Sequence, residues 1–170
     1  MPHDGAADPA ERALQLAYSH LDRRERTASE VRGYLRRKGF DAATAELTLA
    51  ALTAEGSVDD SRFARLFTAD KRELEHWGAE RIRRTLLQRG VDPETVSAAL
   101  VEESDDVSPF QAELARAVDL LRRRFTSPPQ TRRDRDRALG VLVRKGYEPE
   151  IAFDALAAFD RVRGDSPGPD

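Results

Sequence analysis

One seven-residue corner occurs three times in this chain. It reads Leu35-Arg36-Arg37-Lys38-Gly39-Phe40-Asp41, then Leu86-Leu87-Gln88-Arg89-Gly90-Val91-Asp92, then Leu142-Val143-Arg144-Lys145-Gly146-Tyr147-Glu148. Each copy is Leu, two residues, a base, Gly, an apolar residue and an acid. A further Leu stands ten residues after each glycine, at Leu49, Leu100 and Leu156. The glycines are 51 and 56 residues apart (39 to 90 to 146). This spacing is slightly wider than the common helical-solenoid periods, but the internal-repeat logic is the same.

The corner has a local meaning. A base in the last helical turn faces the negative end of the helix dipole, and a Gly just beyond it adopts the left-handed conformation that closes a helix. The apolar residue after Gly packs back as a latch. The acid that follows caps the next helix, whose first turn holds Ala42, Pro93 or Pro149, and Pro is favoured there because its missing N–H has no helical partner anyway. The corner is therefore a helix stop followed at once by a helix start.

Around these corners the apolar spacing predicts three helices per repeat. The first runs from Pro9 or Ala10 to Arg23 with Leu14, Ala17, Tyr18 and Leu21 on one face. Thr27-Ala28-Ser29-Glu30 is a capping box that opens a second helix to Lys38, with Val31, Leu35 and Tyr34 inward. A third runs from Ala42 to Ala54 around Ala45, Leu49 and Leu52. In the second repeat Asp59 and Asp60 are read as helix caps rather than metal ligands, because no further carboxylate lies at a ligand spacing. The helix they open carries Phe63, Leu66, Phe67 and Leu74 inward and ends near Trp77-Gly78; helices over Ala79–Arg89 and Pro93–Glu103 follow. The third repeat predicts helices over Pro109–Phe125 (Phe110, Leu114, Ala117, Val118 and Leu121 inward), Arg132–Lys145 and Pro149–Val162, with a Pro128-Pro129 loop between the first two. The expected organisation is a disordered N-terminus (1–8), repeats over 9–56, 57–106 and 107–163, and a disordered tail (164–170). Ser104-Asp105-Asp106-Val107-Ser108-Pro109 marks the clearest boundary. A three-helix unit of this size has a marginal core alone, so neighbouring units are expected to share apolar surface.

Cysteine is absent, which removes disulfides and thiolate metal sites. No apolar run is long enough to span a membrane, and the start lacks the basic and apolar regions of a signal peptide, so a cytoplasmic protein is expected. The net charge is −3, but the charge is segregated: second helices are basic and third helices acidic. Such a surface attracts phosphate along one stripe and basic protein along another, although solvated helix faces are the plainer reading of any single helix.

No nucleotide-binding glycine loop, histidine pair or serine–base constellation is present, so neither a catalytic site nor a cofactor is expected. Trp77 and His76 offer a base-stacking surface, against a packing role for Trp77. Arg supplies 25 of the 28 Lys and Arg residues, and its planar fork suits phosphate or carboxylate. A Gly-containing corner before another helix also fits helix–turn–helix DNA readers, but the residues after each corner are acidic, which opposes insertion into a major groove.

The run Leu21-Asp22-Arg23-Arg24-Glu25-Arg26-Thr27-Ala28-Ser29-Glu30-Val31, with Leu35 and Lys38-Gly39-Phe40, resembles the first repeat of the RecX family of recombination regulators. Asp59-Asp60-Ser61-Arg62-Phe63-Ala64, Arg72, Gly78, Arg81-Ile82, Leu86 and Arg89-Gly90-Val91 are similar to that family's most distinctive segment. The third repeat matches chiefly through Arg144-Lys145-Gly146-Tyr147. It departs in its Pro128-Pro129 loop and in Gly140, which weakens a helix interior. The resemblance implies an all-α fold of three tandem three-helix (helix-turn-helix-like) repeats in an elongated curved array. It implies no enzymatic activity, and a partner in the RecA recombinase, as monomer and as filament on single-stranded DNA. Filament extension, ATP hydrolysis, strand exchange and LexA cleavage would be suppressed. Contact with double-stranded DNA and a monomeric state are further expectations. The arginines expected to touch DNA or RecA are Arg23, Arg24, Arg26, Arg32, Arg36, Arg37, Arg72, Arg81, Arg83, Arg84, Arg132, Arg133, Arg135 and Arg137. Two other readings remain at this point: a direct DNA-binding regulator using the corners as helix–turn–helix units, and a structural scaffold without nucleic acid.

Overall fold

The structure is a computed structural model that describes residues 8–101 and 107–161. Among the described residues every regular element is an α-helix: α1 Pro9–Leu21, α2 Ala28–Arg37, α3 Ala42–Ala54, α4 Asp60–Glu73, α5 Ala79–Gln88, α6 Pro93–Leu100, α7 Pro109–Arg124, α8 Arg132–Lys145 and α9 Pro149–Arg161. The expected terminal extensions and the Ser104-Asp105-Asp106 boundary lie outside the described residues, except for Asp8, whose carboxylate accepts from Ala10 N–H.

All three corners close with the same hydrogen bonds. After α2, Phe40 N–H donates to Leu35 O and Gly39 N–H to Arg36 O; after α5, Val91 to Leu86 and Gly90 to Leu87; after α8, Tyr147 to Leu142 and Gly146 to Val143. This is the Schellman pairing, and it demands a left-handed residue at its turn. Gly39, Gly90 and Gly146 supply it with φ of 92°, 81° and 89°. The leading leucines (Leu35, Leu86, Leu142) are fully buried, and the latches Val91 and Tyr147 are buried too. The next helix is then capped by Asp41 onto Thr44 N–H and by Asp92 onto Thr95 N–H.

The chain divides into two compact units, Met1–Leu66 with Leu86–Ala99, and Phe67–Thr85 with Leu100–Asp170. Their boundaries fall inside α4, α5 and α6. The first unit has its core in Ala13, Ala17, Val31, Leu35, Ala45, Leu49, Leu52 and Val58, with Leu14, Leu21, Tyr34 and Phe40 packed against it. Within it, the first turn of α2 rests on the Gly90 corner. Thr27 Oγ1 donates to Arg89 O at 2.7 Å, and Ala28 N–H donates to the Asp60 carboxylate at 2.8 Å. Arg89 grips both Glu30 oxygens at 3.0 and 2.9 Å. Its guanidinium also lies 4.2 Å from the Phe63 ring centroid. The capping box expected at Thr27 and Glu30 is present, so Glu30 serves the box and the grip together.

The second unit repeats this joint with different side chains. Gly78 N–H donates to Lys145 O at 2.8 Å, Ala79 N–H to the buried Glu113 carboxylate at 2.7 Å, and Arg81 Nη1 to Arg144 O at 3.0 Å. A Cβ on Gly78 would stand 2.4 Å from Gly146 O, so only glycine fits. The core of this unit is built from α7, α8 and α9, around Leu121, Leu142, Ile151, Ala155 and Phe159.

Several apolar positions differ from the sequence reading. Leu66 is 50% and Leu74 76% exposed rather than inward. The buried face of α4 holds Phe63, Ala64 and Thr68, and Leu66 projects away from it at helical spacing. Leu74 lies past the helix end: α4 stops at Glu73, before the expected Trp77-Gly78. There His76 takes a left-handed φ of 53°, and Trp77 N–H returns to Lys71 O at 3.0 Å. Phe110 and Tyr18 are each 40% exposed. The buried stripe of α7 starts at Glu113, one turn after Phe110, and Tyr18 turns outward to donate its hydroxyl to Glu55 at 2.7 Å. Asp59 caps α4 at Arg62 N–H as expected, whereas Asp60 reaches across to α2.

The three glycines have equal backbone demands but unequal surroundings. A Cβ at Gly39 meets nothing within 4 Å, at Gly90 it meets Ser29 Cβ at 2.3 Å, and at Gly146 it meets Arg81 Cβ at 2.2 Å. Gly39→Ala should therefore lose only the left-handed penalty of about 1 kcal/mol, and Gly90→Ala at least about 3 kcal/mol because a packed joint must also open. Urea unfolding of the two variants checks this; equal losses would remove the joint from the account. The Glu30 grip adds a pH signature. Burial opposes its charge, but the hydrogen bonds from Arg89 and from Thr27 N–H prevail and lower its pKa. A depressed carboxyl contributes stability above its unfolded pKa, about 4.3, and loses it as pH falls through the folded value. The stability gap between wild type and Glu30→Gln should thus narrow below about pH 4. Asp60 has the opposite sign: burial, with Asp92 and Asp59, raises its pKa, so its contribution grows on acidification. Unfolding of wild type, Glu30→Gln and Asp60→Asn from pH 7 to pH 3 distinguishes the two carboxyls.

Candidate functional site

The fourteen arginines singled out by sequence fall into two groups once their partners are known. Four are tied into the fold. Arg32 of α2 makes a two-pronged pair with Glu46 of α3, at 2.5 and 3.1 Å. That pairing raises the Arg32 pKa, and the Arg32 hydrogen bond lowers that of Glu46. Arg72 of α4 donates to Leu100 O at 3.0 Å. Arg81 of α5 spans to Arg144 O and lies 3.9 Å from the Trp77 ring centroid. Arg135 of α8 donates to Asp160 of α9 at 3.2 Å.

Most of the rest face solvent. In the first unit Arg23, Arg24, Arg36 and Arg37 are exposed; in the second, Arg83, Arg84, Arg132, Arg133 and Arg137 are exposed. Among the described residues none of these nine has a hydrogen-bonded carboxylate partner. Arg26 is half-buried with its Nε unbonded. The exposed set lies on α2, α5 and α8 and on the turn before α2, so each second helix presents cations whose charge is not already spent. The fold itself causes this. The inward faces of these helices are fixed by Val31 and Leu35, Ile82 and Leu86, and Ala138 and Leu142, which turns the intervening arginines outward at helical spacing.

The structure also brings together residues that the sequence reading did not list. In the first unit the rings of His20 and Tyr34 stack at 3.9 Å and 3°, with Lys38 5.6 Å from the Tyr34 centroid. Burial, then Arg26, lowers the His20 pKa. In the second unit a cleft of about 430 Å³ is lined by His76, Leu120, Arg123, Arg124, Val141, Arg144 and Lys145. Trp77 itself packs edge-on against Phe67 at 6.2 Å with Lys71 4.9 Å away, which supports the packing role. A glycine stands four residues before a corner arginine twice, Gly140 before Arg144, which lines the cleft, and Gly33 before Arg37, which does not. In both, the guanidinium lies over the helix where the glycine lacks a side chain, 3.0 and 3.2 Å from the place of a Cβ. Among the described residues no group of three or more His, Asp or Glu is placed to hold a metal ion. None of the described helices is long and apolar enough to cross a membrane.

Comparison with known proteins places this architecture. Residues 13–52 match the model of the RecX first three-helix domain, and residues 59–100 match that of the second. The chain is 33% identical over 147 residues to the regulatory protein RecX of Amycolatopsis mediterranei, covering 85% of this chain and 81% of the relative. It is 34% identical over 161 residues to that of Halorhodospira halophila, covering 94% of each. The crystal structure of RecX from Lactobacillus salivarius superimposes with a TM-score of 0.75 at 19% identity, over 90% of this chain and 97% of that one, a likeness of fold. With its helical triplets, its repeated Schellman corners and relatives matched over most of their length, the chain belongs to the RecX family of regulatory proteins.

Proposed function

We propose that this protein is a non-catalytic regulator that binds RecA and its filament on single-stranded DNA. It restrains filament extension, ATP hydrolysis, strand exchange and co-protease activity. The observation that carries the reading is the set of exposed arginines on α2, α5 and α8 that have no carboxylate partner among the described residues, in a chain whose relatives are named regulatory protein RecX. These cations suit phosphate and carboxylate equally, so a nucleoprotein filament offers both of their ligands at once. The fold supports the reading in a second way, because the joints use helix ends and buried carboxylates and leave the second-helix faces unspent.

The alternative, direct reading of duplex DNA through the corners, meets a physical obstacle. At two of the three corners the glycine is packed against another helix, Gly90 on Ser29 and Gly146 on Arg81. Those turns are occupied within the fold.

The test is the single-strand-dependent ATPase of RecA with this protein titrated in. Turnover should fall as the protein approaches stoichiometry with RecA, and an unchanged rate at that ratio would overturn the proposal. The pair Arg83→Gln with Arg84→Gln should raise the concentration needed by about tenfold, the loss of two charge-assisted contacts, while leaving the melting temperature unchanged. The pair Arg32→Gln with Arg81→Gln should also lower stability, since both residues hold the fold. Binding to single strands should weaken with salt at a log–log slope of roughly −0.7 per phosphate neutralised. A flat dependence would assign the arginines to protein contacts.

A further inference from the structure

The cleft of the second unit is outside the arginine set discussed so far, yet its chemistry is specific. Its floor is apolar, formed by buried Leu120 of α7 and half-buried Val141 of α8. Its rim carries His76, Arg123, Arg124, Arg144 and Lys145. Two of these cations are already committed. Arg123 Nε pairs with Asp119 at 2.6 Å, and Lys145 Nζ donates to Glu75 O at 2.5 Å, while the Glu75 carboxylate holds Lys71. Arg124 and Arg144 are exposed and, among the described residues, have no carboxylate partner. Two free guanidinium groups over an apolar floor form a site with an anionic and a flat apolar requirement together. A volume of about 430 Å³ lies in the range that accepts small organic ligands.

Gly140 strengthens the case from an independent direction. A glycine in the interior of α8 weakens the helix, and the atoms nearest to a Cβ there belong to the Arg144 guanidinium, at 3.0 Å to Nη1. The glycine lets Arg144 lie down along the helix and toward the cleft. A position that is poor for the helix and good for one cation is what a binding site leaves in a sequence.

We propose that this cleft binds one nucleotide of a single-stranded nucleic acid, the phosphate held by Arg124 and Arg144 and the sugar and base lying on Leu120 and Val141. The proposal deepens the reading above by giving the strand a place on the second unit. Its test contains no RecA, so that the two fail separately.

The probe is a fluorescein-labelled oligothymidylate of about 15 nucleotides, followed by anisotropy with the full chain at low salt. The oligonucleotide should bind, and Arg124→Gln and Arg144→Gln should each weaken it about tenfold. Gly140→Ala is the discriminating variant: it should raise the melting temperature by restoring helix propensity and yet weaken the oligonucleotide several-fold by displacing Arg144. Thymidine monophosphate should compete, and inorganic phosphate at matched ionic strength should compete far less. Equal competition by phosphate would remove the apolar floor from the site and overturn the nucleotide assignment. Binding of the monophosphate without the oligonucleotide would overturn the strand. Wild-type affinity in both arginine variants would overturn the cleft itself.

Discussion

The docking of one helix's first turn onto the Schellman corner of a later repeat is the interaction on which this fold rests. A helix start exposes unpaired N–H groups and a positive dipole end; a helix stop exposes unpaired carbonyls and a negative one. Setting Thr27 and Ala28 beside Arg89 O and Asp60, or Gly78 and Ala79 beside Lys145 O and Glu113, satisfies both sets at once. The contact must be close to work, which is why a Cβ at Gly90 or Gly146 has no room. The core leucines then fix the register, because Leu35, Leu86 and Leu142 are both buried and acceptors for the corner hydrogen bond.

This joint sorts the charges. Glu30, Asp60 and Glu113 are half-buried or buried carboxylates used for N–H groups and for two arginines, Arg89 on Glu30 and Arg116 on Glu113. Arg81 and Arg72 are drawn onto carbonyls. Positive groups that remain in water, Arg36, Arg37, Arg83, Arg84, Arg132, Arg133 and Arg137 of the second helices among them, are those that no joint among the described residues consumes. Their isolation follows from how the repeats are joined. A net charge of −3 conceals it, because the sum says nothing of which charges the joints occupy.

Much of this was legible in the sequence, for a physical reason. The corners, the Thr27 capping box and the leucine spacing are local patterns, read by residues within a few positions of one another, and their helix ends agree with the structure to within two residues at most termini. The joints are not local. Asp60 caps a helix 32 residues earlier, Glu113 one 34 earlier, and Arg81 reaches a carbonyl 63 residues away. Nothing in a charged residue's own neighbourhood says whether it will meet water, a helix end or a ligand, so Arg32, Arg72, Arg81 and Arg135 looked no different from Arg83 or Arg133. Leu74 failed for a related reason: apolar spacing continues past Glu73, and only the left-handed turn at His76 ends the helix. Of the candidate site, the second-helix cations could be listed from sequence, whereas their division into bound and free could not.

The repeats are also unequal in a way that follows from the joint. Among the described residues corners two and three each receive a helix start, and corner one does not: a Cβ at Gly39 meets nothing within 4 Å. The matching helix start without a corner is that of α8, where Thr131 turns to its own Asp134. The sequence Thr131-Arg132-Arg133-Asp134 keeps the hydroxyl and the acid of Thr27-Ala28-Ser29-Glu30, so the geometry of a joint between two copies of the chain is available. The charges oppose it. Where Ala28 and Ser29 are small and neutral, the α8 start carries Arg132 and Arg133, and the first corner carries Arg36, Arg37 and Lys38. Like charge at an interface costs binding energy and suppresses the wrong partner. The arginines that flank the unused ends therefore set like charge on both halves of such a contact.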